Sequence, residues 1–246
     1  KALPNASAGL RQPGTRVSHV FLADIPAYPK LLAISDAAVN IAPDLSAKAA
    51  ILQHAIDLMA SIGVDLPKAA ILSAVETVNP LISSSLDAAA LSVMSHRGQV
   101  RGALVDGPLA FDNAISLKAA EVKGIASPVA GDADILLVPD LVSGNILAKN
   151  LEYMADATLA GLVLGLNAPI VLPSRADPVD ARLAGLALAR LSLAAKARKS
   201  APQDKAPVWP VHATRSSPMP EVDCCPPSDS TPTSPTSLNG GAHAEP

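Results

Sequence analysis

Four short polar segments of this 246-residue chain each follow an apolar run, and they hold the side chains best suited to chemistry. In the stretch over 169–191, PIVLPSRADPVDARLAGLALARL, a short aliphatic strand over 169–172 leads into Ser174 and Arg175. Asp177 falls at the N-cap of the helix that follows, Pro178 at its first position, and Asp180 three residues after the cap, an acidic variant of the capping box. Ser174 and Arg175 thus stand between a strand end and a helix start. There, backbone N–H groups and the helix dipole favour anions, and open α/β sheets bind ligands. The planar guanidinium of Arg175 adds a fork that matches phosphate. The plain alternative is that Ser, Arg and Asp only cap and solvate a helix.

The second segment, over 129–149, ends a strand at Val138-Pro139-Asp140, passes Ser143-Gly144 and starts a helix near Asn145. Gly144 lets the backbone approach a ligand closely, and Lys149 lies one turn beyond Asn145 on the same helix face. The spacing is not that of a phosphate-binding P-loop, and an ordinary strand-to-helix connection explains the segment equally. In the third, Asp106-Gly107-Pro108 reads as a turn, with Asp112 and Asn113 close behind. Paired Asp side chains serve as general bases or metal ligands, and Asp-Gly-Pro is also simple turn chemistry. The fourth places Ser73, Glu76, Thr77 and Asn79 after a strand. A parallel sheet would bring all four segments to one edge. That convergence is a stronger signal than any one motif.

The elements that must position these residues alternate. Strands are predicted over 17–23, 68–74, 102–105 and 134–138, and helices over 45–62, 86–94, 145–157 and 178–199, with Asp44 as the N-cap of the first. Such alternation predicts an α/β fold with a mostly parallel sheet. Hydrophobic residues make up 49% of the chain and aromatics only 2%, so the core must be aliphatic. From residue 201 onward lie 10 of the 23 prolines and no aliphatic periodicity, the composition of a disordered tail.

The net charge of −3 has none of the basic footprint of a nucleic-acid binder. The longest apolar stretch, over 159–172, is too short and too interrupted to span a bilayer. The chain opens on Lys1 with no secretory signal, which reads as a fragment or a processed start. Cys224 and Cys225 are adjacent, with neither disulfide nor zinc spacing, and point to a reducing, cytoplasmic compartment. His19, His54 and His96 have no partner at metal-ligand spacing and read as structural, and no metal site is expected.

Six runs resemble the phosphate acetyl/butyryltransferase family: RVSHVFLADIP (16–26), NIAPD (40–44), AILSAVETVNP (70–80), DGPLAFDNAIS (106–116), AGDADILLVPDLVSGNILAK (130–149) and PIVLPSRAD (169–177). The resemblance covers residues 14–191, and the DGPLAFDNA wording is nearer the butyryl-type and hydratase-associated branches. It implies an isocitrate/isopropylmalate dehydrogenase-like fold and the reaction acyl-CoA + phosphate ⇌ acyl phosphate + CoA. CoA and acyl phosphate are then substrates, no cofactor is needed, and the assembly is a homodimer. The family's catalytic Ser-Arg pair maps onto Ser174 and Arg175, and its acidic residue falls near Asp180. Ser73, Asp106, Gly107, Asp112, Gly144, Asn145 and Lys149 become substrate- and CoA-binding candidates. The resemblance further implies that residues 1–13 are the remnant of a truncated N-terminal lobe. Residues 14–160 would be the inserted second lobe, residues 161–200 a strand–helix segment completing the first, and residues 201–246 an added tail. A catalytically inactive relative, acting as a CoA-binding or dimerisation lobe, is the alternative.

Overall fold

The computed structural model describes residues 10–11 and 14–200. The tail expected over 201–246, with its two cysteines, and nearly all of the segment over 1–13 lie outside the described residues.

Among the described residues, seven strands and six helices follow one another. They are β1 (Ser18–Asp24), β2 (Leu32–Ser35), α1 (Leu45–Ser61), β3 (Lys68–Leu72), α2 (Ser83–His96), β4 (Leu104–Leu109), α3 (Phe111–Ile115), α4 (Leu117–Val122), β5 (Ile135–Leu137), α5 (Leu141–Met154), β6 (Thr158–Leu164), β7 (Ile170–Val171) and α6 (Val179–Ser200). The strands form one sheet in the order β4-β3-β5-β2-β1-β6-β7. β4, β3, β5 and β2 pair in parallel, whereas β1 pairs antiparallel with both β2 and β6, and β7 antiparallel with β6. Following those senses across the sheet, five of the seven strands point one way, and β1 and β7 oppose them.

Alternation along the strands builds two aliphatic cores, because successive side chains leave opposite faces. Val20 and Leu22 join Ile51, Leu52, Ile56, Leu91 and Leu188 on the face covered by α1, α2 and α6. Phe21 and Ala23 join Ile34, Leu136, Ala114, Ala120 and Ala148 on the face covered by α3, α4 and α5. The bulkiest fully buried side chains are Leu, Ile and Met59, as the scarcity of aromatics requires.

Helix α1 begins where its cap predicts, with the Asp44 carboxylate accepting from the Ala47 N–H at 2.7 Å. Three expectations are corrected. The helix expected from Asn145 starts at Leu141, because Asp140 is the residue that caps it, accepting from the Ser143 N–H at 2.8 Å. Asp106-Gly107-Pro108 is not a turn but the body of β4. A Cβ on Gly107 would stand 2.8 Å from Ile71 Cβ and 3.2 Å from Ala88 Cβ, so glycine lets this edge strand lie close on β3 and α2. Pro108, lacking an N–H, is tolerated because β4 is an edge strand. Finally, β2 and β6 were not anticipated, and they supply the centre and the antiparallel half of the sheet.

Candidate active site at the sheet edge

The chain leaves β2 and β3 for one face of the sheet, through α1 and α2, and leaves β5 for the other, through α5. Since β5 lies between β3 and β2, its C-terminal end is flanked on both sides by segments departing the opposite way. Such a divergence opens a crevice at the carboxyl edge of the strands.

At this edge the Ser73 N–H donates to the Leu109 carbonyl at 2.8 Å, and its Oγ lies 2.9 Å from Ser84 Oγ in the first turn of α2. Ser85 Oγ donates to the Asn79 carbonyl at 2.8 Å and accepts the Asn79 N–H at 2.9 Å. Beside them Lys48, with its side chain 8% exposed, pairs with Asp87 at 2.6 Å. Asp112, in the helix after β4, pairs with Lys123 at 3.0 Å, and Glu76 approaches the same ammonium at 3.6 Å. The Lys123 hydrogen bond holds the Asp112 carboxyl below its usual range. Ser73 and Asp112, with Glu76, therefore meet at the edge that the sequence reading anticipated.

The other candidates divide. Gly144 is buried in the first turn of α5 because a Cβ there would meet Val138 Cγ2 at 2.7 Å and the Asp36 carbonyl at 3.1 Å. Its smallness seats the helix on the sheet. Asn145 is exposed at the edge and donates to the Ala37 carbonyl at 3.3 Å. Asp106, within β4, accepts the Gly107 N–H at 2.8 Å and opens onto a separate cavity of about 440 Å³ with Ser95 and His96. Lys149 lies five residues beyond Gly144 on α5, bonded to Glu152 at 2.5 Å. Burial works to lower the Lys149 ammonium, but Glu152, with help from Asp177 and Tyr153, outweighs it and leaves the pKa raised.

Ser174 and Arg175 do not join the edge cluster. They follow β7, which opposes the parallel strands, so the chain leaves β7 toward the other end of the sheet. The convergence of all four segments on one edge therefore fails for this one. Ser174 is half-buried, and Arg175 and Asp180 are exposed. The Asp177 carboxylate accepts the Ser174 N–H at 2.7 Å and so closes a turn around Ser174 and Arg175. Arg182 reaches back to the Arg175 carbonyl at 3.4 Å.

Two features escaped sequence reasoning. Asp36, at the end of β2, is 2% exposed. Its carboxylate accepts the N–H groups of His19 (3.1 Å), Ala38 (3.0 Å) and Val39 (2.9 Å) and the Asn40 amide (2.5 Å). The one available signal was the pair of polar residues, Asp36 and Asn40, bracketing a small apolar turn. The second is a link between Ser18 Oγ and His54 Nδ1 at 2.8 Å, beside a cavity of about 530 Å³ between α1 and α6. Burial lowers the His54 pKa; Asp57 opposes the shift and Lys196 adds to it. Among the described residues no three His, Cys, Asp or Glu side chains gather as a metal site, and no helix is long and apolar enough to cross a membrane.

The family model described as phosphate acetyl/butaryl transferase matches residues 8–189 of this chain. The chain is 57% identical over 186 residues to a phosphate acetyltransferase of Rhizobium meliloti, covering 76% of this chain and 58% of that protein. It is 49% identical over 189 residues to a probable phosphate butyryltransferase of Bacillus subtilis, covering 77% and 63%. The crystal structure of a branched-chain phosphotransacylase from Enterococcus faecalis V583 superposes with a TM-score of 0.70 at 34% identity, covering 77% of this chain and 67% of that one. The chain spans about half the length of the curated relatives it matches, from 50% to 63%.

Proposed function

The chain belongs to the phosphate acetyl/butyryltransferase family, and on that premise we propose that it carries part or all of the machinery for acyl transfer between coenzyme A and inorganic phosphate. The observation that carries this reading is the extent of the family match, residues 8–189, which includes both the sheet-edge segments and the Ser174-Arg175 turn.

In the proposed reaction the CoA thiolate attacks the carbonyl carbon of an acetyl or butyryl phosphate. The carbon–oxygen bond to phosphate breaks, phosphate departs with that electron pair, and a thioester forms. Arg175, exposed and bearing a planar fork of donors, neutralises charge that grows on the phosphoryl oxygens. Ser174, positioned by Asp177, donates to the developing oxyanion, and Asp180 takes the thiol proton. Ser73, Asp112, Asn145 and Lys149 are the polar groups offered to CoA. Asp106 opens on its own cavity, and Gly107 and Gly144 contribute close packing. The reading carries with it a dehydrogenase-like inserted second lobe over 14–160, a strand–helix segment over 161–200 that completes the first lobe, a homodimer, a cytoplasmic setting and no cofactor beyond the CoA substrate.

The test is formation of CoA from acetyl- or butyryl-CoA and phosphate by the purified chain, with Arg175→Ala alongside. Turnover that falls at least a hundredfold in the variant supports the reading. A folded chain with no turnover would be the inactive relative, and an undiminished Arg175→Ala rate would remove the Ser-Arg pair from the mechanism.

A further inference from the structure

Helix α6 is seated on the protein by small side chains. Its buried positions among the described side chains are Ala181, Gly185, Leu188, Ala189, Ser192 and Ala195. Leu188 is the one bulky member, and it joins Ala160 and Leu162 of β6 in the core. Beyond Leu188 the helix turns only methyl groups and a hydroxymethyl group inward. There a cavity of about 530 Å³ lies between α6 and α1, walled by Ser192, Ala195 and Lys196 on one side and by His54, Asp57 and Leu58 on the other. Side chains that border a void lose the dispersion contacts that a filled seam supplies. The C-terminal half of α6 is therefore held weakly by packing, and the polar groups of the cavity decide whether it stays.

His54 occupies the α1 wall. Its Nδ1 lies 2.8 Å from the Oγ of Ser18, a fully buried residue of β1. Its Cε1 rests against the backbone of Gly165, 3.0 Å from the point a Cβ there would occupy. A neutral imidazole can accept the Ser18 hydroxyl proton at Nδ1. An imidazolium donates at both nitrogens and cannot, so charging the ring costs the buried hydroxyl its acceptor. Three charged side chains line the cavity with the ring: Asp57 from α1, Lys196 from α6 and Arg16 from the chain before β1. Gln53 Nε2 donates to Asp57 at 3.2 Å, and Arg16 Nη1 to Asn40 Oδ1 at 3.2 Å. Protonation of His54 thus puts a third cation into a cavity whose lining holds one carboxylate. Burial lowers the His54 pKa and Lys196 adds to the shift, against Asp57.

We propose that His54 is an acid-sensitive latch for α6: with the ring neutral the C-terminal half of the helix lies on α1, and with the ring charged it lifts from α1 into solvent while the sheet stays folded. The sense of the switch follows from the chemistry of the ring. The neutral ring is favoured in the folded protein, so the latch holds above about pH 6.5 and opens as the pH falls through the lowered folded value. Release reaches the Ser174-Arg175 turn, because α6 follows that turn directly and Arg182 of α6 donates to the Arg175 carbonyl at 3.4 Å. The latch goes beyond the acyltransfer reading and does not rest on it.

Amide hydrogen exchange of the 246-residue chain, corrected for the intrinsic pH dependence of exchange, tests this between about pH 7.5 and about pH 5 in the wild type and His54→Gln. In the wild type, peptides over 186–198 should lose about tenfold or more of their protection across that window, while α1, β3 and β5 keep theirs. In His54→Gln the same peptides should show no such loss. Protection of α6 that is constant in the wild type overturns the latch. So does an equal loss in folded His54→Gln, or a loss shared by α1 and β5, which is global unfolding. If the variant does not fold, nuclear magnetic resonance of the wild type decides. The His54 ring and the α6 amides should then titrate with one midpoint below about pH 6.5, and separate midpoints overturn the proposal. None of these readouts needs turnover, so failure of the latch leaves the acyltransfer reading standing.

Discussion

His19 Nε2 stands 3.1 Å from the point a Cβ on Gly161 would occupy, in a pocket so closed that neither ring nitrogen has a hydrogen-bond partner. The imidazole packs edge-on against Phe21 at 4.4 Å between ring centroids. Burial lowers its pKa to about 4, against the opposing pull of the Asp36 carboxylate. The unfolded chain, with an ordinary histidine near 6.5, takes up the proton first as pH falls. Stability contributed by the neutral ring is therefore intact above about pH 6.5, declines between there and about pH 4, and falls no further below. The full loss is on the order of 3 kcal/mol. His54, also lowered by burial, adds in the same direction. Urea unfolding followed across this window should show a shallower pH slope in His19→Leu than in the wild type, and equal slopes would mean that the ring does not stay neutral on folding.

Gly144 offers a test between packing and ligand contact. A methyl group there would press on Val138 Cγ2 at 2.7 Å and on Ala37 Cα at 3.2 Å. Gly144→Ala should therefore destabilise the protein by about 1–3 kcal/mol, although alanine favours a helix by about 1 kcal/mol over glycine. A thermal melt in which Gly144→Ala matches or exceeds the wild type would restore ligand approach as the reason for the glycine.

The turn that holds Ser174 and Arg175 depends on Asp177, which is buried although its chain neighbours are exposed. Asp177→Ala removes the acceptor of the Ser174 N–H, at a cost of about 1–2 kcal/mol locally. Amide hydrogen exchange at Ser174 should accelerate at least tenfold while exchange in β3 and β5 is unchanged. Protection of Ser174 that survives the substitution would assign the turn to the Asp177 N–H bond to the Ser174 carbonyl, 3.2 Å long, instead.

Much of this fold is written locally. The Asp44 cap, the apolar spacing of α1 and the aliphatic runs of β1, β3 and β5 each depend on neighbours a few residues away, and each stands where the sequence puts it. The family, too, is legible in six runs of residues without any coordinates. β2 is four residues long, too short for a period to register. The sense of β7 is not local at all. It follows from the hairpin partner that β6 provides, and that choice sends Ser174 and Arg175 away from Ser73 and Asp112. Gly144 and Gly107 read as ligand contacts because a glycine that admits a ligand and one that admits a helix or strand look alike until the opposing atoms are known. Asp36 was silent for the same reason, since the N–H groups that make it an anchor converge only when β1 and the loop after β2 come together around it. The sequence by itself determined the family, the start of α1 and the inventory of polar groups. Tertiary structure decided which of those groups meet, because strand direction and close approach are set by partners distant in the chain.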